Sequence, residues 1–310
     1  MNDRDLIDAF LKDIEIRGWS VWTIKSCKYT LNLFVESIGP RSIIDIETED
    51  LKTFLCFLQK RKARADSIAS ETIRKHFNNL ASFYEFLEEE DKVGRSLIPR
   101  FRKKYLQANH RGGKNGQKRQ IIELNQMRKL IGSILDPCDR AMLMFLAKTG
   151  IRAHELISLD VTDIHLDKMT FHLKATGKRG NSTLFFDDET RRVLERWLDV
   201  RSRIASVDEK ALYLDYEGKR ISQTTLNKRI KYYAEQIGIH DPVSNDLEKK
   251  FTTHCFRHFF TTYLLRSGMR REFVKELRGD SRSETIDIYH HILPEELREE
   301  YLNHVPGLGL

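Results

Sequence analysis

The chain has 310 residues, of which 40% are hydrophobic and 32% charged, which favours a folded globular protein long enough for two domains over a disordered one. Its formal net charge of +7 favours a polyanionic partner, with DNA or RNA ahead of a membrane surface. No apolar run approaches the roughly 18 residues of a membrane span, and Met1–Asp5 lacks the basic and then apolar layout of a signal peptide.

Residues 1–100 are predicted to form four helices, because apolar residues recur three and four positions apart. The four apolar stripes start at Leu6, Ile24, Leu51 and Ile73. We expect Gly39-Pro40 to end the second helix, and Thr48 and Ser70 to cap the third and the fourth. Stripes at this spacing are core positions, so we assign them no catalytic role.

A basic stretch follows, in which no acidic residue interrupts eight lysines and arginines. These are Arg100, Arg102, Lys103, Lys104, Arg111, Lys114, Lys118 and Arg119. Gly112-Gly113 and Gly116 keep the stretch from forming one continuous helix. It is either a solvated linker or a DNA-binding linker between two domains that clamp a duplex, where its charges neutralise phosphates and make binding salt-dependent.

From about Ile121 the pattern is mixed, with helices dominating a small sheet. A helical stretch begins at Asn125. The run Arg140–Lys148 is typical of a buried helix, and Thr149-Gly150 stops it.

Two strands are predicted next. Met169–Lys174 alternates apolar and polar side chains like a half-buried strand, and Ser182–Phe186 is its returning partner. Gly177–Asn181 forms the turn between them, and the chain after Asp188 is again mostly helical. The second half is therefore expected to be α+β.

The four cysteines, Cys27, Cys56, Cys138 and Cys255, are scattered and form no CxxC pair. Free cysteine is among the most often buried residue types, so we expect these thiols to be small core or surface residues and not metal ligands. The pattern favours a reducing, cytoplasmic environment.

Five side chains in the second half have the chemistry to cut a phosphate diester without a metal. They are Arg152, Lys178, His254, Arg257 and Tyr289. Such a cleavage needs a nucleophile, positive charge on the nonbridging oxygens and a proton for the leaving 5′ oxygen. Arginine binds two phosphate oxygens and stays charged, lysine has a transferable proton, and tyrosine attacks once its proton is removed or shared.

Each of these residues is weak evidence alone, since surface histidines, turn lysines, helix-start cations and packed tyrosines are common. His254 and Arg257 lie three positions apart, so on one helix they share a face and reach a single phosphate. Thr252 or Thr253 is expected to cap that helix. The order and the spacing of the five residues together favour one catalytic set.

This order resembles that of the tyrosine recombinases of the phage-integrase family, and the size and layout are similar to the Xer type. Thr149–Leu156 (TGIRAHEL) resembles the family's TGxRxxEL box, and Gly177-Lys178 its catalytic lysine turn. His254–Phe260 (HCFRHFF) resembles the HxLRH box, and Ile288–His291 (IYHH) the nucleophile box. The resemblance covers nearly the whole chain, because the first half looks like the family's core-binding domain.

The resemblance implies a mostly α fold in three parts. Residues 1–100 are expected to be a four-helix, SAM-like core-binding domain that binds DNA, and residues 101–120 a basic linker. Residues 121–310 are expected to be an α+β tyrosine-recombinase catalytic domain with a small antiparallel sheet and a C-terminal tail helix. Together they are expected to clamp double-stranded DNA, in the cytoplasm and associated with the nucleoid.

The resemblance also implies site-specific cleavage and rejoining of DNA strands that needs no cofactor, metal or ATP. Tyr289 would attack the scissile phosphate and form a 3′-phosphotyrosyl link, leaving a free 5′-hydroxyl. Arg152 and Arg257 would hold the nonbridging oxygens. Lys178 would protonate the leaving oxygen, and His254 would act as a base or hydrogen-bond partner.

The family exchanges strands in a tetramer on two duplexes, and each C-terminal segment docks on a neighbouring subunit. Here Pro294–Val305, with Leu297, Tyr301, Leu302 and Val305 on one side, is suited to that role. A terminal helix that docks on its own domain is the alternative.

One position departs from the family's pattern. Leu277–Ser281 aligns with LxGHS, but Asp280 stands where the family has His or sometimes Trp, nine residues before Tyr289. A carboxylate that faces a phosphate is repelled unless it is protonated or paired with a cation. We expect Asp280 to orient an arginine or the Tyr289 hydroxyl without touching the phosphate, with Arg278 as an additional cation. Impaired chemistry is the alternative.

Two other functions stay open at this point. A type IB topoisomerase-like enzyme uses the same chemistry without synapsis, and a catalytically weak DNA-binding protein only marks a site. The complete set of catalytic residue types favours an enzyme, while Asp280 favours the binding protein. The sequence does not give the target site or the need for an accessory recombinase or regulator. It also leaves open whether the chain resolves chromosome dimers or integrates or excises a mobile element.

Overall fold

The computed structural model describes residues 2–61, 70–106, 120–174, 183–244, 246–280 and 292–310. The chain divides into two units, Met1–Gly116 and Gln117–Leu310, and each has its own hydrophobic core. Within the described residues, no helix is both long enough and apolar enough to cross a membrane.

Four helices build most of the first unit. They are α1 (Asp3–Ile16), α2 (Val21–Ile38), α3 (Thr48–Lys60) and α4 (Ser70–Glu89). Each turns its apolar stripe inward, and phenylalanines from different helices meet in the core. The rings of Phe34 and Phe54 pack edge to face with their centroids 5.1 Å apart. The four helices predicted from the apolar spacing are confirmed.

Short polar contacts fix the ends of these helices. As predicted, α2 ends at Gly39, whose φ is 63°. The prediction that Thr48 caps α3 is wrong. Glu47 is the N-cap, and its backbone N–H donates to the Asp50 carboxylate at 2.8 Å, so Thr48 is already the first helical residue. The residues before Ser70 lie outside the described ranges, and its capping role stays a prediction.

The basic stretch begins within the first unit. A short helix α5 (Ile98–Phe101) runs into a π-helical turn (Arg102–Leu106). Phe101 stacks on Phe77 of α4 with ring centroids 5.3 Å apart and planes 9° apart. The segment predicted as a linker, residues 101–120, therefore starts with residues that pack on the helical unit, because Phe101 is buried in its core.

Four of the eight basic side chains lie in the part of the chain that the structure describes. Arg100, Lys103 and Lys104 are exposed, while Arg102 donates to the side-chain oxygen of Asn78 at 2.5 Å. The remaining four, Arg111, Lys114, Lys118 and Arg119, lie outside the described residues.

Helices dominate the second unit, as predicted. Its described helices are α6 (Leu124–Gly132), α7 (Pro137–Thr149), α8 (Ala153–Ser158), α9 (Asp188–Ile204), α10 (Gln223–Gln236), α11 (Thr253–Arg266), α12 (Arg271–Arg278) and α13 (Pro294–His304). Two 3-10 turns, Val161–Asp163 and Leu247–Lys249, add to them. The first helix starts one residue before the predicted Asn125, because Glu123 is its N-cap.

A small antiparallel sheet lies between α8 and α9 in the chain. Its strands are β1 (Ile164–His165), β2 (Thr170–His172) and β3 (Thr183–Phe185), in the order β1-β2-β3. Phe171 pairs with Leu184 across β2 and β3, and both are buried. The two predicted strands are confirmed, whereas β1 is too short to show an alternation in the sequence. The predicted turn Gly177–Asn181 lies outside the described residues.

Helix α7 runs through the core of the second unit. Its residues from Ala141 to Thr149 are all buried, which explains an apolar run without amphipathic spacing. The helix ends at Gly150, whose φ is 60°. A Cβ at this position would lie 2.3 Å from Cδ1 of Phe260 on α11, so only glycine lets α7 end this close to α11. This close approach brings Arg152, two residues later, next to α11.

The C-terminal helix α13 docks on the unit to which it belongs. Tyr301 is fully buried there, and its hydroxyl donates to the backbone carbonyl of Lys148 at 3.1 Å. After the helix, the backbone N–H groups of Leu308 and Leu310 donate to the Glu189 carboxylate at 2.9 and 3.0 Å. In the single chain, the terminal segment is thus self-docked.

Candidate active site

Arg152 is held at the start of α8 by the glutamate one turn further on. The backbone N–H of Arg152 donates to Oε2 of Glu155 at 2.6 Å, and its Nη1 donates to Oε1 of the same carboxylate at 3.3 Å. Glu155 is 3% exposed, so this carboxylate is a fixed support. The side chain of Arg152 is about a third exposed and faces an open cavity.

Helix α11 supplies His254 and Arg257. Its N-cap is Thr252, one of the two predicted caps. His254 is exposed, whereas Arg257 is buried and anchored to backbone at two points. Its Nη1 donates to the carbonyl of Gly150 at 2.8 Å, and its Nη2 donates to the carbonyl of Arg278 at 2.9 Å. The predicted sharing of one helix face is confirmed, since both side chains line the same cavity.

Arg257 keeps its charge in an environment that disfavours it. Burial, together with the positive charges of Arg152 and Arg278, lowers the pKa of Arg257 to about 10, while Asp280 and Glu155 oppose that change. Because this value is still well above neutral pH, the guanidinium is protonated at pH 7.

The Asp280 carboxylate lies among three guanidinium groups. Its Oδ1 is 3.0 Å from Nη2 of Arg257 and 3.6 Å from Nη2 of Arg152. Its Oδ2 is 3.3 Å from Nε of Arg278. The expected pairing of Asp280 with an arginine is present, whereas the alternative contact with Tyr289 involves a residue outside the described ranges.

An open cavity of about 520 Å³ lies next to the starts of α8 and α11. Arg152 and Arg257 line it together with His254, so three predicted catalytic side chains converge on one space. Two guanidiniums and an imidazole face this space, and these are groups that bind a phosphate.

Helix α10 contributes three further residues to this cavity that were not predicted from the sequence. They are Gln223, Asn227 and Lys231, spaced four residues apart on one face of the helix. The Gln223 amide donates to the Asn227 side chain at 3.4 Å, so the two amides lie side by side. The regular spacing of these polar residues was visible in the sequence. It did not indicate a site, because a polar stripe on a helix usually faces only solvent.

The predicted acid Lys178 and the predicted nucleophile Tyr289 both lie outside the described residues. The strands β2 and β3 end at His172 and begin at Thr183, on either side of the segment that contains Lys178. The roles of Lys178 and Tyr289 stay predictions.

One group of potential metal ligands occurs among the described residues, at the start of α7. It consists of Asp136, Cys138 and Asp139. Asp139 is already engaged, because Nη1 of Arg229 and the hydroxyl of Tyr233 donate to its two oxygens at 2.7 and 2.8 Å. Burial raises the pKa of the Cys138 thiol to about 12, which disfavours the thiolate that metals prefer. All four cysteines are free thiols, as expected.

Comparison with known proteins bears directly on this arrangement. The model described as "Phage integrase family" matches residues 117–296, and the one described as "Phage integrase, N-terminal SAM-like domain" matches residues 6–92. The chain belongs to the phage integrase family. Phage integrase family members of this type are tyrosine recombinases, enzymes that cleave and rejoin DNA strands.

Several curated relatives of this phage integrase chain carry Xer names. Tyrosine recombinase XerC of Roseiflexus castenholzii is 27% identical over 99% of the chain and 94% of the relative. Tyrosine recombinase XerD of Listeria innocua is 28% identical over 96% of the chain and 97% of the relative. Tyrosine recombinase XerA of Saccharolobus solfataricus is 27% identical over 96% of the chain and 92% of the relative.

Solved structures share the fold. A lambda integrase dimer bound to a COC′ core site has a TM-score of 0.67 at 13% identity, over 95% of this chain and 100% of that one. The XerH site-specific recombinase bound to its difH substrate has a TM-score of 0.64 at 19% identity, over 91% of this chain and 79% of that one. The expected fold class, a SAM-like helical domain with a tyrosine-recombinase catalytic fold, is confirmed. The family match favours site-specific recombination over the topoisomerase-like and catalytically weak alternatives.

Proposed function

We propose that Tyr289 of this recombinase attacks the scissile phosphate of double-stranded DNA and forms a 3′-phosphotyrosyl bond as the P–O5′ bond breaks. The Tyr289 hydroxyl gives its proton to His254, and the leaving 5′ oxygen takes a proton from Lys178. In the second half of the reaction a 5′-hydroxyl attacks phosphorus, the tyrosyl ester breaks, and the energy of the original bond is conserved without ATP. The observation that carries this proposal is the convergence of Arg152, Arg257 and His254 on one cavity.

The arginines would act on the charge that develops on the nonbridging oxygens. Arg257 is buried, fixed by two backbone carbonyls, and charged at neutral pH, so it is pre-organised to bind an anion. Arg152 is braced by Glu155 and more exposed, which suits a second, parallel contact. His254 is exposed on the cavity wall, where a base or a hydrogen-bond donor for the phosphate is needed.

We also infer two DNA-contacting surfaces. On α10, Gln223 and Asn227 present amides, the groups that pair with adenine edges in a major groove, and Lys231 presents a charge for a phosphate. The exposed Arg100, Lys103 and Lys104, with the other five cations of the basic stretch, would neutralise backbone phosphates.

Assembly is proposed to follow the family: four copies on two duplexes, with nucleoid DNA in the cytoplasm as the site of action. The terminal segment that follows residue 292 would then exchange its self-docked position for a neighbouring copy. An accessory recombinase or a regulator is compatible with this scheme. So are chromosome-dimer resolution and mobile-element integration or excision.

The decisive experiment traps the covalent intermediate. A duplex nicked near the scissile phosphate loses its short 5′-hydroxyl strand after cleavage, so the enzyme stays attached. We expect a protein–DNA adduct that survives denaturation, that is absent with Tyr289→Phe, and that persists with the control Tyr216→Phe, which removes an exposed hydroxyl elsewhere in the second unit. No adduct with the wild-type chain would contradict the proposal. Relaxation of a plasmid without any specific site would favour the topoisomerase-like alternative.

A further inference from the structure

We propose that Asp280 is a positioning residue, which holds the guanidinium groups of Arg257 and Arg152 in the orientation that binds the scissile phosphate. This inference rests on the proposed strand-cleavage function. Its subject is the one position where the chain carries an acid and the family pattern carries an imidazole or an indole.

Asp280 is one of three groups that hold the guanidinium of Arg257. Its Nη1 is bonded to the carbonyl of Gly150, and its Nη2 is shared between the carbonyl of Arg278 and Oδ1 of Asp280. Asp280 provides the charged acceptor of this set, and hydrogen bonds to a charged acceptor are roughly twice as strong as neutral ones. Among the hydrogen-bond acceptors in the described ranges, loss of that carboxylate leaves Arg257 with the two backbone carbonyls, neither of which carries a charge.

Asp280 also lies close to the second arginine, Arg152. Oδ1 of Asp280, which accepts from Arg257, is also 3.6 Å from Nη2 of Arg152. Two guanidiniums close to one another repel, and a carboxylate between them offsets that repulsion. Asp280 thus allows both cations to face one cavity before any phosphate has arrived. The carboxylate of Glu155 also pairs with Arg152, with Oε1 and Nη1 3.3 Å apart.

The Asp280 carboxylate is not suited to bind the phosphate directly. An ionised carboxylate has only acceptor sites, so it offers no hydrogen to a phosphate oxygen, unlike the imidazole or indole of the family pattern. Among the described residues that line the cavity, Arg152, His254 and Arg257 are present and Asp280 is not. Because its oxygens contact the guanidinium groups of Arg257 and Arg152, we infer that the carboxylate acts through them.

This geometry predicts that loss of the Asp280 carboxylate affects DNA affinity and cleavage rate differently. A negative charge near the phosphate weakens ground-state binding of DNA, so its removal leaves affinity unchanged or makes it tighter. The same removal lets both guanidiniums move away from the developing charge, so the cleavage rate falls.

The test compares Asp280→Asn and Asp280→Ala with the wild-type chain, on the nicked duplex and by single-turnover cleavage. We expect about a tenfold to hundredfold loss of rate for Asp280→Ala and a smaller loss for Asp280→Asn, which keeps one acceptor oxygen. Affinity, measured in the Tyr289→Phe background, should be equal or tighter. Asp199→Asn, which removes an exposed acid paired with Arg203 on α9, is the matched control and should change neither quantity.

A second substrate separates positioning from a general structural effect. A methylphosphonate at the scissile position lacks the negative charge, so it depends less on the arginines. The loss caused by Asp280→Ala should shrink to within about threefold on this substrate, as should the loss caused by Arg257→Ala. An equal loss on both substrates would overturn the inference. So would a large gain of cleavage in Asp280→His, or a loss of affinity that matches the loss of rate.

A third readout does not depend on activity. Phenylglyoxal modifies guanidinium groups faster when they are unpaired, and peptide mass spectrometry assigns the rate to each arginine. Asp280→Ala should label faster at Arg152 and Arg257, while Asp199→Asn should not. Unchanged labelling would overturn the positioning role even if the chain formed no covalent adduct, whereas a missing adduct in the wild-type chain would speak against the proposed function alone.

Discussion

The guanidinium of Arg257 donates a hydrogen bond to the backbone carbonyl of Gly150, with Nη1 and the oxygen 2.8 Å apart. Gly150 is the C-cap of α7, and Arg257 is on α11. The contact joins the segment Thr149–Leu156, which carries Arg152, to the segment His254–Phe260, which carries Arg257. It exists because Gly150 has no side chain where the ring of Phe260 approaches. The geometry of the candidate site therefore depends on the close packing of α7 against α11.

Gly150→Ala should destabilise the second unit and displace Arg257. The new Cβ would lie 2.3 Å from Cδ1 of Phe260, at a φ of 60° that disfavours alanine. Overpacking should lower the free energy of unfolding by about 1–3 kcal/mol. The left-handed conformation should lower it by about 1 kcal/mol more, and urea denaturation measures the sum. Gly238→Ala is the control, since its φ is 77° and nothing lies within 4 Å of the added Cβ. Equal losses in the two variants would contradict this explanation.

Glu155→Ala should slow cleavage by way of Arg152. The Glu155 carboxylate accepts from both the backbone and the side chain of Arg152, at 2.6 and 3.3 Å, and it is nearly completely buried. Loss of a charged hydrogen bond of this kind is worth about 1.5–3 kcal/mol, so we expect at least a tenfold lower single-turnover rate. Glu155→Gln, which keeps the acceptor oxygen, should lose less. An unchanged rate in the alanine variant would mean that Arg152 is held by other groups.

The sequence predicted those parts of the site that are local in the chain. Arg152, His254 and Arg257 follow from short boxes, because a turn after Gly150 and one helical turn of α11 fix where each side chain points. The four helices of the first unit follow from apolar spacing, which directly reports the buried face of a helix.

The remaining features depend on tertiary packing. The polar face of α10, from Gln223 to Lys231, carries no local sign of what it faces, and only the packing of α10 beside α8 brings it to Arg152. The charge of Asp280 indicated a cation nearby, but its position between Arg257 and Arg152 depends on where α12 ends. Thr48 was a plausible cap by residue type, but the hydrogen bond from the Glu47 backbone N–H to the Asp50 carboxylate makes Glu47 the N-cap.

Glu189→Gln should weaken the docking of the C-terminal segment. The Glu189 carboxylate accepts from Lys148, which is fully buried, and from the backbone N–H groups of Leu308 and Leu310. Burial alone raises the pKa of Glu189, but the hydrogen bonds from Lys148 and Leu308 outweigh it and lower the pKa to about 2. Limited proteolysis should cut the terminal segment faster in the variant.

The pH dependence of Glu189 follows from the sign of that shift. Because its pKa is depressed from 4.5 in the folded chain, the stabilisation is present above pH 4.5 and is lost as the pH falls towards about 2. The difference in unfolding free energy between the wild-type chain and Glu189→Gln should therefore narrow across that interval. The exposed Glu195, paired with Arg191 at 3.3 Å, gives the control Glu195→Gln. A difference that stays constant down to pH 2 would contradict the assignment.

The α10 face should determine part of the DNA-site preference. Asn227 and Gln223 offer amides that read base edges, whereas Lys231 offers only charge. Selection of binding sites from a randomised duplex should show relaxed preference at one or two base pairs for Asn227→Ala, equivalent to about 1–3 kcal/mol of lost discrimination. Lys231→Ala should instead weaken binding to all sequences and reduce the slope of log affinity against log salt by about one.

Lys228→Ala on the same helix is the matched control, because Lys228 is exposed and is not among the described residues that line the cavity. It removes the same charge and the same side-chain length as Lys231→Ala, one helical turn away. If the slope of log affinity against log salt changes equally in the two lysine variants, α10 contributes only non-specific positive charge to DNA binding. A selective change in Lys231→Ala, together with a base-specific change in Asn227→Ala, requires α10 to lie against the duplex at the cavity that holds Arg152 and Arg257.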